Sequence, residues 1–231
     1  SDSSILSIRT YIHWSFFHNV FIEILKTWRM KRTALGTHES GVDKFYGQGA
    51  ENFGDFHGGY LNFGLWEDGI TNYVDAAENL VTRLAKMGKL NKKSHVLDVA
   101  CGMGAQDVFM HKNFGCKIQA VDVTWNHVRK TKSRIEENKL GNKINIIHAS
   151  ATNLPFKENS FTNVMSIEGP EHFDTREDFF KEAHRVLKPK GILVVSDYCL
   201  TKFPKDPVEK LILRITGKLW HVPKQNHDTA E

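Results

Sequence analysis

Cysteine is scarce in this chain: Cys101, Cys116 and Cys199 are the only three in 231 residues. They have no paired spacing, so no disulfide framework is expected; reduced thiols in a reducing compartment, the cytoplasm, suit them better. An excess of one charge is also missing. Thirty-one Lys and Arg stand against 27 Asp and Glu, a net charge of +4, and the basic residues are interleaved with acids. No nucleic-acid partner is indicated by such scattered charge. Nor is there a long apolar run: Arg9, His13, His18, Glu23 and Lys26 interrupt the Ile-, Phe- and Trp-rich stretch over 5–30, which therefore falls short of the ~18 residues of a spanning helix. The same charges, with no small-residue cleavage site after them, argue against a cleavable signal. Neither HExxH nor paired CxxC occurs, so no metal site is expected, and without a Gly-x-Ser-x-Gly elbow a Ser–His–Asp triad has no support.

What is present is the composition of a globular domain, 40% hydrophobic and 25% charged. Ile5, Ile8, Ile12, Phe16, Val20, Ile24 and Trp28 recur at three- and four-residue intervals, which predicts an N-terminal helix with one apolar stripe. That stripe packs on the domain, on a second copy in a homo-oligomer, or on a membrane surface. Residues 36–69 turn glycine- and aromatic-rich, ending in His57-Gly-Gly-Tyr60-Leu-Asn-Phe63-Gly-Leu-Trp66, as expected of an irregular segment lying against a ligand. A helix is predicted over 71–88. Strands follow at about 95–100, 117–123, 144–150, 161–167 and 191–198, with helices at about 105–114, 125–140 and 175–187. Alternation of this kind implies an α/β fold: a Rossmann-like, doubly wound, mostly parallel sheet. Three regions result: an N-terminal helix and lid over 1–70, the Rossmann-like domain over 71–200, and an amphipathic helix (208–220) with a polar tail over 201–231.

Two places carry the chemistry. The strand His95–Ala100 breaks into Cys101-Gly102-Met103-Gly104 before a helix, the strand–turn–helix arrangement that binds nucleotides at a helix N-terminus. Gly102 and Gly104 let a ligand approach the backbone. The intervals do not fit G-x-G-x-x-G, and Asp98 at the end of the strand repels pyrophosphate but suits a cationic amino acid. Asp122, at the end of the second strand and 24 residues after Asp98, suits the two hydroxyls of a ribose. A nucleoside with a positively charged, phosphate-free tail is implied. The second place is Glu168-Gly-Pro-Glu-His172-Phe, after the fourth strand at the carboxyl end of the sheet. There His172 is the candidate general base, with His57 a rival on the lid and a plain surface histidine the alternative for His172.

The run Val96-Leu-Asp-Val-Ala-Cys-Gly-Met-Gly104 resembles the first motif of class I S-adenosylmethionine methyltransferases. The similarity continues through Ala149–Phe156, Ser160-Phe161, Ser166-Ile167-Glu168 and Arg185–Pro189, covering about residues 40–200, and within the class is nearest to the tocopherol, sterol and sugar O-methyltransferases. The resemblance implies S-adenosyl-L-methionine as cofactor and a small acceptor. Asp98, Ala100, Gly102 and Gly104 would hold the methionine part; Asp122 and Val123 the ribose; Ser150 and Ala151 would border the adenine. Tyr46, Tyr60 and Trp66 of the lid would face the cofactor, Trp125 would lie on the adenine or in the core, and Glu168 would lie near the transferred methyl. The sequence departs from the family at Ala100, where glycine is usual, and at Ser150, where an aspartate is usual. It also ends before the final β-hairpin of the family's seven-stranded sheet, which would leave an uncovered edge favouring self-association. Three readings follow: a methyltransferase for a small, partly apolar acceptor; a catalytically impaired cofactor-binding or scaffold protein; and a lipid or sterol methyltransferase docking on membranes through residues 5–30.

Overall fold

The computed structural model describes residues 4–11, 38–47, 51–199 and 204–223. In chain order the elements are β1 (Ser4–Tyr11), α1 (His38–Phe45), α2 (Glu51–Phe56), α3 (Tyr73–Met87), β2 (His95–Val99), α4 (Ala105–Phe114), β3 (Lys117–Asp122), α5 (Trp125–Glu137), β4 (Ile144–His148), β5 (Phe161–Ile167), a 3-10 turn (Pro170–His172), α6 (Arg176–Val186), β6 (Leu187–Cys199) and α7 (Pro207–Leu219). The strands form one sheet in the order β1-β6-β5-β2-β3-β4, and every pairing is parallel. The strand order reverses direction at β2, leaving β2–β3 and β2–β5 as neighbours. In open sheets of this kind ligands bind at the carboxyl ends beside that reversal.

Period-2 alternation sorts each strand between two cores. Val96 of β2 faces the cluster built by Ala77, Leu80, Leu84 (α3), Val108 and Met110 (α4). Its neighbours Leu97 and Val99 face Phe179, Ala183 and Val186 of α6. Asp98 falls on the Val96 side, toward α4, by the same alternation. On α3, Leu80, Val81 and Leu84 are fully buried, each worth about 1.5–3 kcal/mol of transfer free energy. That helix starts where the Asn72 side chain accepts from the Asp75 amide (3.0 Å) and stops at Gly88. The expected start of α6 is also present, with the Asp178 amide donating to Thr175 Oγ1 at 3.2 Å.

Three expectations are corrected. Residues 4–11 are not helical: Ser4–Tyr11 pair in register with Ile192–Cys199. The backbone groups along the free side of β6 need partners, and a β-branched segment supplies them. The edge expected to lie open beside β6 is thereby covered. The rest of the expected N-terminal helix falls outside the described residues. Secondly, the lid is not wholly irregular, because His38–Phe45 and Glu51–Phe56 are short helices. Thirdly, β6 starts at Leu187: the Lys188–Gly191 turn is drawn into the strand through a register irregularity opposite Phe161 and Asn163, with Lys190 at φ 66°. No helix among the described residues is long and apolar enough to cross a membrane.

Candidate active site

The glycine loop sits where β2 ends. Ala100, Gly102 and Gly104 all have positive φ, 62°, 58° and 74°. Gly104 needs this freedom and the space, since a Cβ there would meet Thr131 Cγ2 at 2.6 Å. Ala100 has no such freedom, which explains in physical terms why glycine is usual at its position. Thr131 Oγ1 and Arg134 Nε of α5 donate to the carbonyls of Gly102 (2.9 Å) and Met103 (3.0 Å), so the loop is held from behind.

Asp122 lies under this loop at the end of β3. One carboxylate oxygen accepts the Gly102 amide (2.9 Å); the other accepts the Thr124 amide (2.8 Å) and faces His127 Nδ1 (3.3 Å). Although burial opposes its charge, His127 and the two amides hold its carboxyl below the usual range. Asp98 is the opposite case. Gln106 Nε2 donates to one oxygen at 2.6 Å, the other oxygen has no hydrogen-bonding partner, and burial raises its pKa to about 7. Behind it, fully buried, is Asp107, with no donor on either oxygen and a carboxyl pushed well up by burial and by Asp98. Sequence reasoning missed Asp107, because an acid in the first turn of a helix ordinarily reads as a solvated dipole partner. A buried acid pair lacking a cation, beside glycines in left-handed conformation, fits the ammonium end of an amino-acid-bearing nucleoside.

The second half of the site is closed by α1. Glu39 bonds to Ser150 Oγ, Asp43 accepts the Trp125 amide (3.0 Å), and Tyr46 Oη contacts His172 Nε2 (2.8 Å). His38 Nε2 donates to the His172 carbonyl at 2.7 Å. The Tyr46 ring lies edge-on between His127 (5.2 Å) and His172 (5.4 Å), so it spans from the Asp122 side to the candidate base. His172 is buried, not a surface histidine, and burial lowers its pKa to about 4. Glu168, at φ 51°, accepts the Phe63 amide through Oε2 at 2.6 Å; Oε1 is buried without a partner, and its pKa is raised to about 8, chiefly by burial.

The remaining expected residues scatter. Val123 gives its carbonyl to His148 Nε2 (2.7 Å), and Ala151 is buried beside Leu154 in the α6-side core. Tyr60 lies in the α3-side core with its hydroxyl on Glu78 at 3.1 Å. Trp66 is exposed and donates to the Phe63 carbonyl. His57 packs on Tyr73 at 4.0 Å. Trp125 is half exposed and stacks on His148 at 4.0 Å, so it is not core. Among the described residues no group of three or more His, Cys, Asp or Glu could hold a metal.

Residues 97–195, from β2 to β6, match the family model described as a methyltransferase domain. That match falls within the Rossmann-like core. The chain is 37% identical over 153 residues to erythromycin 3''-O-methyltransferase of Saccharopolyspora erythraea, covering 64% of this chain and 50% of that protein. It is similar in fold to the cyclase SpnF (TM-score 0.64, 24% identity, 71% of this chain and 61% of that one). The geranyl diphosphate C-methyltransferase of Streptomyces coelicolor, solved with S-adenosyl-L-homocysteine, is similar too (TM-score 0.59, 18% identity, 71% and 67%). At these identities the two structures speak for the fold alone. The chain spans about half the length of the first curated relatives it matches.

Proposed function

We propose that this chain binds S-adenosyl-L-methionine and transfers its methyl group to an oxygen of a small, partly apolar acceptor. The observation that carries the reading is the pairing of two half-sites within reach of one ring. On one side is the glycine loop over Asp122 with the unsatisfied Asp98 oxygen; on the other, His172 and Glu168; Tyr46 lies between. Asp98 meets the amino group, Asp122 the ribose hydroxyls in exchange for its present amide and imidazole bonds, and Ser150 and Ala151 border the adenine. The tocopherol, sterol and sugar group is the part of the class that the motifs favour, and one relative is by its name an O-methyltransferase acting at the 3'' position of erythromycin.

Held by Asp98, the glycine loop and Asp122, S-adenosyl-L-methionine would supply a sulfonium methyl group for transfer to the acceptor oxygen, its bonding pair remaining on sulfur. The protein's own part is alignment, exclusion of water and disposal of one proton. His172 takes that proton at Nε2. Burial keeps the ring neutral at physiological pH, as a base requires. Burial keeps Glu168 largely protonated near neutrality, where a carboxylate would be costly.

Calorimetric titration with S-adenosylmethionine and S-adenosylhomocysteine tests the reading. Micromolar binding that Asp122→Ala weakens at least tenfold, about 1.4 kcal/mol, is expected. Absence of binding by the intact chain refutes it, and tight binding without turnover on any hydroxyl-bearing acceptor points instead to a cofactor-binding scaffold, the reading that strained Ala100 favours.

A further inference from the structure

Which nitrogen of His172 carries its proton is decided by what surrounds the ring. Nδ1 faces the carbonyl oxygen of His221, in the turn after α7, at 3.4 Å. A carbonyl only accepts, so this contact is a hydrogen bond only in the Nδ1–H form, which the Glu171 carboxyl beside Nε2 opposes and the shorter Tyr46 contact supports. A neutral imidazole then has a lone pair at Nε2, and the group 2.8 Å from it is the hydroxyl of Tyr46, which must be the donor. Burial and the Glu171, Asp122 and Glu168 carboxyls raise the Tyr46 pKa well above 10, so it stays a phenol and can donate. The other ionisable groups around the ring are Glu171, whose Oε1 is 3.4 Å from Nε2, His38 on the backbone carbonyl, and Asp197.

We propose that Tyr46 is the positioning residue of the acceptor half-site: its hydroxyl holds His172 in the Nδ1–H form and occupies, while α1 is closed, the seat at Nε2 that the hydroxyl of an alcohol or phenol acceptor takes over. A phenol at hydrogen-bond distance from a base lone pair is the arrangement such an acceptor needs before it gives up its proton. The site is thus made for an O–H donor. A tertiary amine has no proton to place there, and a carbon nucleophile offers only a C–H, a weak hydrogen-bond donor. Three contacts of α1 around the site, Glu39 to Ser150, Asp43 to Trp125 and His38 to the His172 carbonyl, hold Tyr46 in this seat. The inference rests on the reading of His172 as the base.

Nitrogen-15 correlation spectra of the His172 ring give a readout independent of turnover. In the intact chain the Nδ1–H form is expected from pH 5 to 9. Tyr46→Phe, which keeps the ring and loses the donor, is expected to mix the two tautomers, raise the pKa of His172 and move the acid limb of the rate profile to higher pH. It should also lower kcat/KM for the acceptor by the fraction of the ring left in the Nε2–H form, with KM for the methyl donor unchanged. Tyr46→Ala with added p-cresol, a free copy of the missing side chain, is expected to restore the Nδ1–H signal. An Nε2–H form in the intact chain, or a His172 signal indifferent to Tyr46→Phe, overturns the proposal, as does p-cresol that binds without shifting it. If His172→Ala abolishes methylation while the tautomer ignores Tyr46, only this inference fails. If the tautomer follows Tyr46 but no acceptor is methylated, the functional reading fails instead.

Discussion

Asp98→Asn should stabilise the unliganded protein at alkaline pH while weakening cofactor binding. Asp98 is fully buried, half satisfied by Gln106 and pressed against Asp107. A carboxyl raised from 3.8 to about 7 on folding opposes the folded state wherever the unfolded chain has already released the proton. The sign is therefore that of a stability cost. It is absent below pH ~4, grows as pH rises toward 7, and levels off above. At ~1.4 kcal/mol for each tenfold change in proton affinity, the full cost is about 4 kcal/mol, with the smaller part of it expressed at pH 5. Asparagine keeps an oxygen for the Gln106 amide and carries no charge. Urea unfolding at pH 5 and pH 8 should show the advantage of Asp98→Asn growing by roughly 2–3 kcal/mol between the two. Saturating S-adenosylhomocysteine should shrink it, because a bound ammonium favours the Asp98 carboxylate. A difference that does not change with pH, or a variant less stable than the parent at pH 8, would refute the reasoning.

Two further substitutions probe the frame around the site. A Cβ at Gly169 would lie 2.6 Å from Ala100 Cβ, so Gly169→Ala should cost about 1–3 kcal/mol in thermal unfolding. Ala100→Gly should relieve that clash in the double variant, and alone should be neutral to stabilising by about 1 kcal/mol. Arg185 donates to the carbonyls of Phe156 (2.6 Å) and Leu154 (2.9 Å) and pairs with Glu182, tying the Ser150–Phe156 loop to α6. Arg185→Lys cannot reproduce this fork and should lower the unfolding midpoint, with a loss of about 1 kcal/mol by denaturant titration.

The strands and helices from Tyr73 to Val186 were legible because each has a local signal: a β-branched run, a cap, a period. So were the positions of the glycine loop and Asp122 at the strand ends. β1 was not, because Ile5, Ile8 and Ile12 fit a helical stripe, and what decides for a strand is the border of β6, almost 190 residues away. The helix at His38–Phe45 has Gly41 in its middle and only one buried apolar residue, Val42, too little periodicity to read. Asp107 was hidden because nothing local marks a helix-start acid as buried. The contact of Tyr46 with His172 joins residues 126 apart, and only the fold brings them together.

The indole of Trp125 lies flat on the His148 imidazole, half open to solvent, while its own amide is the group that Asp43 holds. An aromatic chromophore thus marks the contact between α1 and the sheet. With four other tryptophans in the chain, the difference in emission between the parent and Trp125→Phe should report the state of that contact, with no label added.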